Sequence, residues 1–179
     1  MQKSIQKDSN EQIYLVNKSD GTPVPLKSIL FEVDVHAKRS CAVNMIQTYE
    51  NLGENGMEVT FYYPVDINYA LSKIRVEFSD IDDPTNKQVV ETVMEPKAQA
   101  EAKYDEIKKE GKEMAVLASH ATKNNRTLIK VQLGNFPPNS RAVLTCQMFG
   151  ELTYEKLMEA FNFRLPLTYV PRYLLGNKP

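Results

Sequence analysis

The chain has 179 residues, a net charge of −1 and 42% hydrophobic residues. A chain of this length folds as one domain, with or without appendages, and can bury a full core without disulfide or metal staples. The balanced charge argues against nucleic acid or a charged membrane surface as a partner. No apolar run approaches the roughly 18 residues of a membrane-spanning helix, so we expect no membrane insertion.

Residues 1–24 are predicted to be a polar N-terminal extension that holds one candidate short strand. Met1 to Asn10 lacks the apolar core of a secretory signal, so we expect a cytoplasmic protein. Secretion stays open for a chain from which a signal peptide has been removed. The candidate strand is the apolar patch from Ile13 to Val16, and a turn signal from Asp20 to Pro23 follows it.

Two cysteines, Cys41 and Cys146, are too few for a disulfide framework. Both lie in apolar runs that resemble strands, which favours two buried free thiols. One bridge between neighbouring strands is the alternative. Free thiols are typical of a reducing compartment.

Alternating apolar residues predict strands in the first half of the chain, because side chains on a strand point to its two faces in turn. The last two of these strands are predicted to pair across an acidic turn, Asp80 to Asn86. The loop 52–56 contains Asn55-Gly56, a strong turn signal. The predicted strands lie near residues 29–35, 42–49, 57–63, 71–78 and 88–94.

One segment has helical periodicity, and the main helix is predicted at about residues 96–110. Ala100, Tyr104 and Ile107 share one face, which we expect to dock on a sheet. Pro96 suits the first turn, and Gly111 suits the C-terminal stop. The residues expected to stay in solvent are Glu101, Lys108 and Lys109.

The stretch after the helix is predicted to return to strands. Residues 114–118 form either a helical turn or a strand. Two clearer strands lie near residues 127–133 and 142–149, and they are predicted to pair across the loop from Asn135 to Ser140.

The last segment contains an amphipathic stretch, Tyr154 to Ala160, and then a predicted final strand, Phe161 to Pro166. Many short strands around a single helix predict a mainly β fold, an antiparallel sandwich or barrel. We therefore expect a main domain at residues 25–150. Residues 151–179 would complete that domain or lead to a following one.

Several short motifs carry the strongest signal in the chain through their order and spacing. They are Tyr49-Glu50-Asn51, Tyr62-Tyr63-Pro64, Ala100 with Tyr104, Gly111-Lys112 and Gly134-Asn135-Phe136-Pro137. In this order they resemble a VIT domain (vault protein inter-alpha-trypsin domain). One departure is Gly56, which stands where the family often has a proline before the third strand.

The resemblance implies an antiparallel, sandwich-like VIT domain that acts as a non-catalytic interaction or scaffold module. In inter-alpha-trypsin inhibitor heavy chain-like proteins such a domain usually precedes a von Willebrand type A domain. That neighbour carries an Asp-x-Ser-x-Ser metal motif, which these 179 residues lack. We therefore expect the VIT part of a longer protein, or a solitary VIT domain, with a protein partner and no cofactor.

Calcium is the first alternative to test against the sequence. Asp80, Asp82 and Asp83 crowd one turn and offer oxygen atoms of the kind that bind Ca²⁺. A dedicated calcium loop needs a glycine at its sixth position, where this chain has Thr85. A solvated turn is the preferred interpretation, and a calcium-dependent adhesion module stays an alternative function.

Patterns for catalysis are weak. His36 and His120 stand far apart without zinc-ligand spacing, and the adjacent Ser119 and His120 cannot face each other as nucleophile and base. No glycine-rich phosphate loop occurs in the sequence. We predict no enzyme and no catalytic, cofactor-binding or metal residue; a small hydrolase with an unrecognised site stays an alternative.

Tyrosines are numerous, and most stand at predicted strand ends. We expect their rings to pack inward and their hydroxyl groups to reach water. The alternative is that a subset forms an exposed protein-binding face. The residues concerned are Tyr49, Tyr62, Tyr63, Tyr69, Tyr154, Tyr169 and Tyr173.

Overall fold

The structure is a computed structural model that describes residues 15–36, 39–64, 68–92, 97–110, 115–123, 126–166 and 169. Its described part contains strands and one helix, α1, at Lys97–Glu110. The predicted mainly β antiparallel fold with one main helix is therefore confirmed. The strands are β1 Val16–Asn17, β2 Leu26–His36, β3 Ser40–Asn51, β4 Met57–Pro64, β5 Tyr69–Asp80, β6 Lys87–Glu91, β7 Ala115–Lys123, β8 Arg126–Phe136, β9 Ser140–Glu151, β10 Thr153–Glu155 and β11 Ala160–Asn162.

Two antiparallel sheets form the body of the protein. One has five strands in the order β2-β3-β9-β5-β6, and the other has four in the order β1-β4-β8-β7. Strands β5 and β6 pair as predicted, with Phe78 opposite Gln88. The candidate strand near the N-terminus is present as β1, which pairs with β4 through Val16 and Thr60. Ile13 and Tyr14 lie outside the described residues.

The predicted pairing of the two strands around residues 127–133 and 142–149 is wrong. Strand β8 lies between β4 and β7, whereas β9 lies between β3 and β5 in the other sheet. The loop between them crosses from one sheet to the other: Phe136 is fully buried at the end of β8, Pro137 cannot donate a backbone hydrogen bond, and Asn139 turns with φ of 48°. The loop at Asn55-Gly56 likewise joins strands of different sheets and closes no hairpin.

The core lies between the two sheets, where their inner faces meet. Residues from both ends of the chain take part, because Leu15, Val24, Leu152 and Tyr169 belong to the same apolar cluster as the central strands. Strand β9 shows the alternation most clearly, with every second residue buried from Ser140 onward. The largest fully buried side chains are Tyr49, Tyr63, Tyr169, Phe61, Phe78 and Phe136.

Both cysteines are buried free thiols, as the preferred interpretation predicts. The alternative of a bridge is wrong, because Cys41 is paired with Gly150 while Cys146 is paired with Met45. Four residues along neighbouring strands amount to about 13 Å, well beyond the Cα separation that a disulfide spans. Burial raises the pKa of the Cys146 thiol to about 12.

Helix α1 packs on the outer face of the four-stranded sheet, which gives the molecule a third layer. Tyr104 is buried against Ala115 and Leu117 of β7, with Ala100 and Ile107 partly buried beside them. The predicted docking face is confirmed. Residues 115–118, which the sequence leaves as a helical turn or a strand, belong to strand β7.

The prediction for the solvent face of the helix holds for Glu101 and Lys109, which are exposed. It is wrong for Lys108, whose side chain is only 33% exposed and forms an ion pair with Glu58 of β4. This pair fastens the end of the helix to the sheet. Pro96 and Gly111, the predicted terminal residues, lie outside the described residues.

The segment after β9 folds as a hairpin and so differs from the predicted arrangement. Strands β10 and β11 pair with Tyr154 opposite Phe161, and residues 156–159 form the turn. Glu159, the last residue of this turn, lies in the left-handed region with φ of 49°. The predicted last strand, Phe161 to Pro166, is therefore wrong beyond Asn162.

Glu50 predicts how stability depends on pH. It is 9% exposed and pairs with Lys27 at 2.9 Å and with Arg141 at 2.9 Å. The hydrogen bond that Glu50 accepts from Lys27 is the main cause that lowers its pKa below the ordinary 4.5, and the hydrogen bond from Arg141 is the next. A lowered pKa stabilises the fold above the ordinary value, and this contribution is lost as pH falls through the folded-state pKa.

We expect the urea midpoint of the wild-type protein to fall more steeply below pH 4.5 than that of Glu50→Gln. The neutral amide cannot lose a charge, so its share of the pH dependence disappears. Urea titrations at several acidic pH values measure the two slopes. Equal slopes would show that Glu50 adds nothing to acid sensitivity.

Candidate interaction surface

Asn51 joins two loops that carry the chain between the sheets. Its side-chain nitrogen donates to the carbonyl oxygens of Pro137 at 2.7 Å, Asn55 at 3.0 Å and Phe136 at 3.3 Å. Its side-chain oxygen accepts from the backbone N–H of Gly53 at 3.0 Å. The residue is fully buried, so these bonds satisfy polar groups that water does not reach.

The Gly134-Asn135 motif fits the helix to the sheet. A Cβ at Gly134 would lie 3.1 Å from the Tyr104 hydroxyl oxygen, so glycine gives the ring room to approach. Asn135, with φ of 58°, points its side-chain nitrogen towards the carbonyl oxygens of Ile107 and Lys108, each at 3.5 Å. The motifs that resemble a known family therefore position secondary structure and present no reactive group.

The carboxylates of the acidic turn accept hydrogen bonds from their own loop and from the loop that holds Asn139. Asp80 accepts from the backbone N–H of Asp82 at 2.9 Å, and Asp83 accepts from the Thr85 hydroxyl at 2.5 Å. Asp82 accepts from the Asn139 side chain at 2.6 Å. Among the described residues, no three His, Cys, Asp or Glu side chains are placed to hold a metal ion.

The two histidines are not brought together. His36 lies at the end of β2 in one sheet, and His120 lies in β7 of the other. Both side chains are exposed. Ser119 and His120 are neighbours on one strand, so their side chains point to opposite faces, as expected from their adjacency.

The tyrosine rings pack inward as predicted at three strand positions, but their hydroxyl groups reach protein atoms and not water. The acceptors are Gln47 Oε1 for Tyr49, Met148 Sδ for Tyr63 and the Arg164 carbonyl oxygen for Tyr69, at 2.9, 3.3 and 2.6 Å. Among the described members of the predicted set, Tyr154 faces solvent most clearly, since it is 44% exposed. Tyr173 lies outside the described residues.

The β10–β11 hairpin carries a concentration of exposed apolar side chains. Leu157 is 95% exposed and Met158 is 74% exposed at its tip. Tyr154 and Phe161 in the two strands, and Phe163 just beyond β11, are between 37% and 45% exposed and continue this surface. These five residues are called the hairpin surface below.

The base of the hairpin is fixed to the body of the protein on both sides. Leu152 is 9% exposed, and its backbone N–H donates to the Arg39 carbonyl oxygen at 2.8 Å. Beyond β11, the Arg164 carbonyl oxygen accepts from Tyr69, and Leu165 packs against the core. The apolar tip therefore projects from a rigid support.

Aromatic and polar contacts shape the hairpin itself. The rings of Tyr154 and Phe161 lie 5.1 Å apart between centroids, and the Arg39 guanidinium lies 5.4 Å from the Phe161 ring centroid. Asn162 donates to Glu155 at 3.3 Å. A cleft of about 480 Å³ lies along the tip, lined by Glu155, Leu157, Met158, Asn162, Phe163 and Arg164.

Sequence reasoning missed the two residues at the tip. It places Leu157 and Met158 within the amphipathic stretch Tyr154 to Ala160 and predicts no turn there. One sequence feature could have indicated the exposed tip: the two residues stand between Lys156 and Glu159 in a segment only ten residues long. A hairpin in so short a segment leaves its central pair of side chains without cover.

The described residues form a mainly β, sandwich-like fold whose β10–β11 hairpin exposes a group of apolar side chains. The family model of the vault protein inter-alpha-trypsin domain (VIT) matches residues 26–148, and the chain belongs to this family. VIT domains are a family of non-catalytic modules with a general role in protein interaction. The hairpin surface lies just beyond the matched residues.

A search of curated proteins returned no match to this chain. Within the described residues, no helix is long and apolar enough to cross a membrane.

Proposed function

We propose that this chain is a non-enzymatic VIT module of a longer protein and that it binds a von Willebrand type A domain of the same polypeptide. The hairpin surface carries the proposal. Large apolar side chains at this level of exposure are costly to leave in water, and such groups mark contact sites when they occur together.

The composition of the hairpin surface suits recognition of a protein. Aromatic residues and methionine are enriched at interfaces, and methionine adapts its shape to a partner. Because the base is held at Leu152 and Arg164, the surface loses little conformational freedom on binding.

The same hairpin stands near the C-terminal end of the described residues, which supports a neighbour in cis. Linkage in one polypeptide would raise the effective concentration of a type A domain at the hairpin surface. A non-enzymatic role is supported by membership of a family of non-catalytic modules. The turn hydrogen bonds of Asp80 and Asp83 argue against a calcium site. A cytoplasmic location, also proposed, suits two buried free thiols.

We expect the double variant Leu157→Ser with Met158→Ser to weaken binding of the type A domain about tenfold or more, because exposed anchors carry most of the interface energy. The measurement is isothermal titration of the full chain with the type A domain encoded in the same polypeptide. The free energy of unfolding should change by less than about 0.5 kcal/mol, since the replaced side chains touch little of the folded chain.

The matched control is Leu52→Ser with Val89→Ser, which removes two exposed apolar side chains, 62% and 45% exposed, from other parts of the surface. It should bind like the wild type. The proposal fails if the hairpin variant binds as tightly as this control, or if the polypeptide encodes no type A domain.

A further inference from the structure

Strand β2 forms a long edge of the five-stranded sheet, and no other described strand pairs with its outer side. It has 11 residues, and β3 is its sole partner among the described strands. From Ser28 to His36 the register with β3 runs without a break, and the strand contains no proline. Proteins usually block such edges with short strands, prolines, bulges or charged side chains. Strand β2 has one irregularity near Leu26 and carries Lys27, Glu32 and Asp34, but it is long and its pairing is otherwise regular.

The inner face of this edge is apolar and incompletely covered. Val33 and Val35 pair with Val43 and Cys41, which are fully buried, so all four side chains point to the same face. Nevertheless Val33 is 39% exposed and Val35 is 59% exposed. The prediction of a half-buried strand therefore holds for the first half of β2. Val33 and Val35 are more exposed than it implies, because β2 lies at the edge of the sheet.

Beyond Leu30, which is 53% exposed, the outer face of the same edge is acidic. Glu32 and Asp34 are exposed and alternate with the valines. Neither carboxylate has an ion-pair partner among the described residues. A strand added beside β2 would therefore meet apolar side chains on one face and two unpaired carboxylates on the other.

We propose that β2 binds, by strand addition, an extended segment of another protein in which apolar residues alternate with lysine or arginine. Backbone hydrogen bonds to the free edge would supply affinity, and the two rows of side chains would supply selectivity. A second copy of this chain fits less well, because an antiparallel β2–β2 pair centred on Val33 would oppose Glu32 to Asp34 of the other copy. This inference goes beyond the hairpin surface and does not depend on it.

The first test is titration of the full chain with capped peptides of about eight residues, a typical strand length, that alternate valine with lysine or valine with glutamate. We expect the lysine peptide to bind about tenfold or more tightly than the glutamate peptide, because its charges complement the edge. Glu32→Lys with Asp34→Lys should reverse this preference. An unchanged preference would overturn the proposal, as would no binding of either peptide at about 1 mM.

A second test separates strand addition from attraction between charges alone. Two further lysine peptides carry N-methyl groups on alternate amides, one on the odd and one on the even positions. A strand presents only one edge to β2, so one methylated peptide should lose binding and the other should keep it. Equal binding of both would overturn the proposal. So would sedimentation of the wild type as a dimer that the Glu32 and Asp34 variant alters, since a second copy would then occupy the edge.

Discussion

Replacing Asn51 with aspartate should destabilise the protein by roughly 3–5 kcal/mol, the range for a buried charge without a partner. The change preserves the shape of the side chain but removes the nitrogen that donates to three carbonyl oxygens. An introduced carboxylate would face these carbonyls and repel them. Urea unfolding at neutral pH measures the effect.

The matched control is Asn55→Asp, because Asn55 lies in the same loop with an exposed side chain. We expect it to change the free energy of unfolding by less than about 0.5 kcal/mol. Similar costs for the two variants would contradict the role given to Asn51. The comparison tests whether the family motif acts through these hydrogen bonds or through the local conformation of the loop.

Replacing Tyr169 with alanine should cost roughly 3–5 kcal/mol, the range for removing a large buried aromatic side chain. Its ring stacks on Tyr63 with centroids 5.4 Å apart and meets the edge of Tyr69 at 6.2 Å. The residue is fully buried although it lies well past the end of the family match at residue 148. Thermal or urea unfolding of the full chain gives the measurement.

Tyr154→Ala provides the comparison, because that ring is 44% exposed on the hairpin. It should cost less than about 1 kcal/mol. If Tyr169→Ala were equally mild, the C-terminal residues would contribute little to the core. The large effect is expected because removing the ring leaves a cavity among two other tyrosines.

The strands were predictable from sequence because alternation reports directly which face is buried. Strand β9 buries alternate residues along its length, β3 does so from Cys41 to Tyr49, and β5 does so from Ile74 to Phe78. The face of α1 that carries Tyr104 follows from helical spacing. The pairing of the strands was harder to predict from the sequence. In sequence, the loop at Pro137 looks like a hairpin turn. Its crossing between the sheets depends on contacts that are distant along the chain, such as the hydrogen bond from Asn51 to Pro137, 86 residues away.

The sequence predicted the kind of candidate site but not the residues that form it. Resemblance to a family indicates an interaction module, but the apolar tip formed by Leu157 and Met158 depends on hairpin geometry. The exposure of Val33 and Val35 likewise depends on how far the second sheet reaches over the edge. Local pattern shows that these residues are apolar, and only tertiary structure shows that nothing in the described part of the chain covers them fully.

Amide hydrogen exchange tests the central claim most directly, because it reports which part of the surface a partner covers. The full chain is compared alone and in the presence of the type A domain of the same polypeptide. We predict slower exchange across residues 153–163, with little change in α1, whose packing against β7 is internal. Unchanged exchange across this hairpin, under conditions where the two domains are bound, would contradict the account.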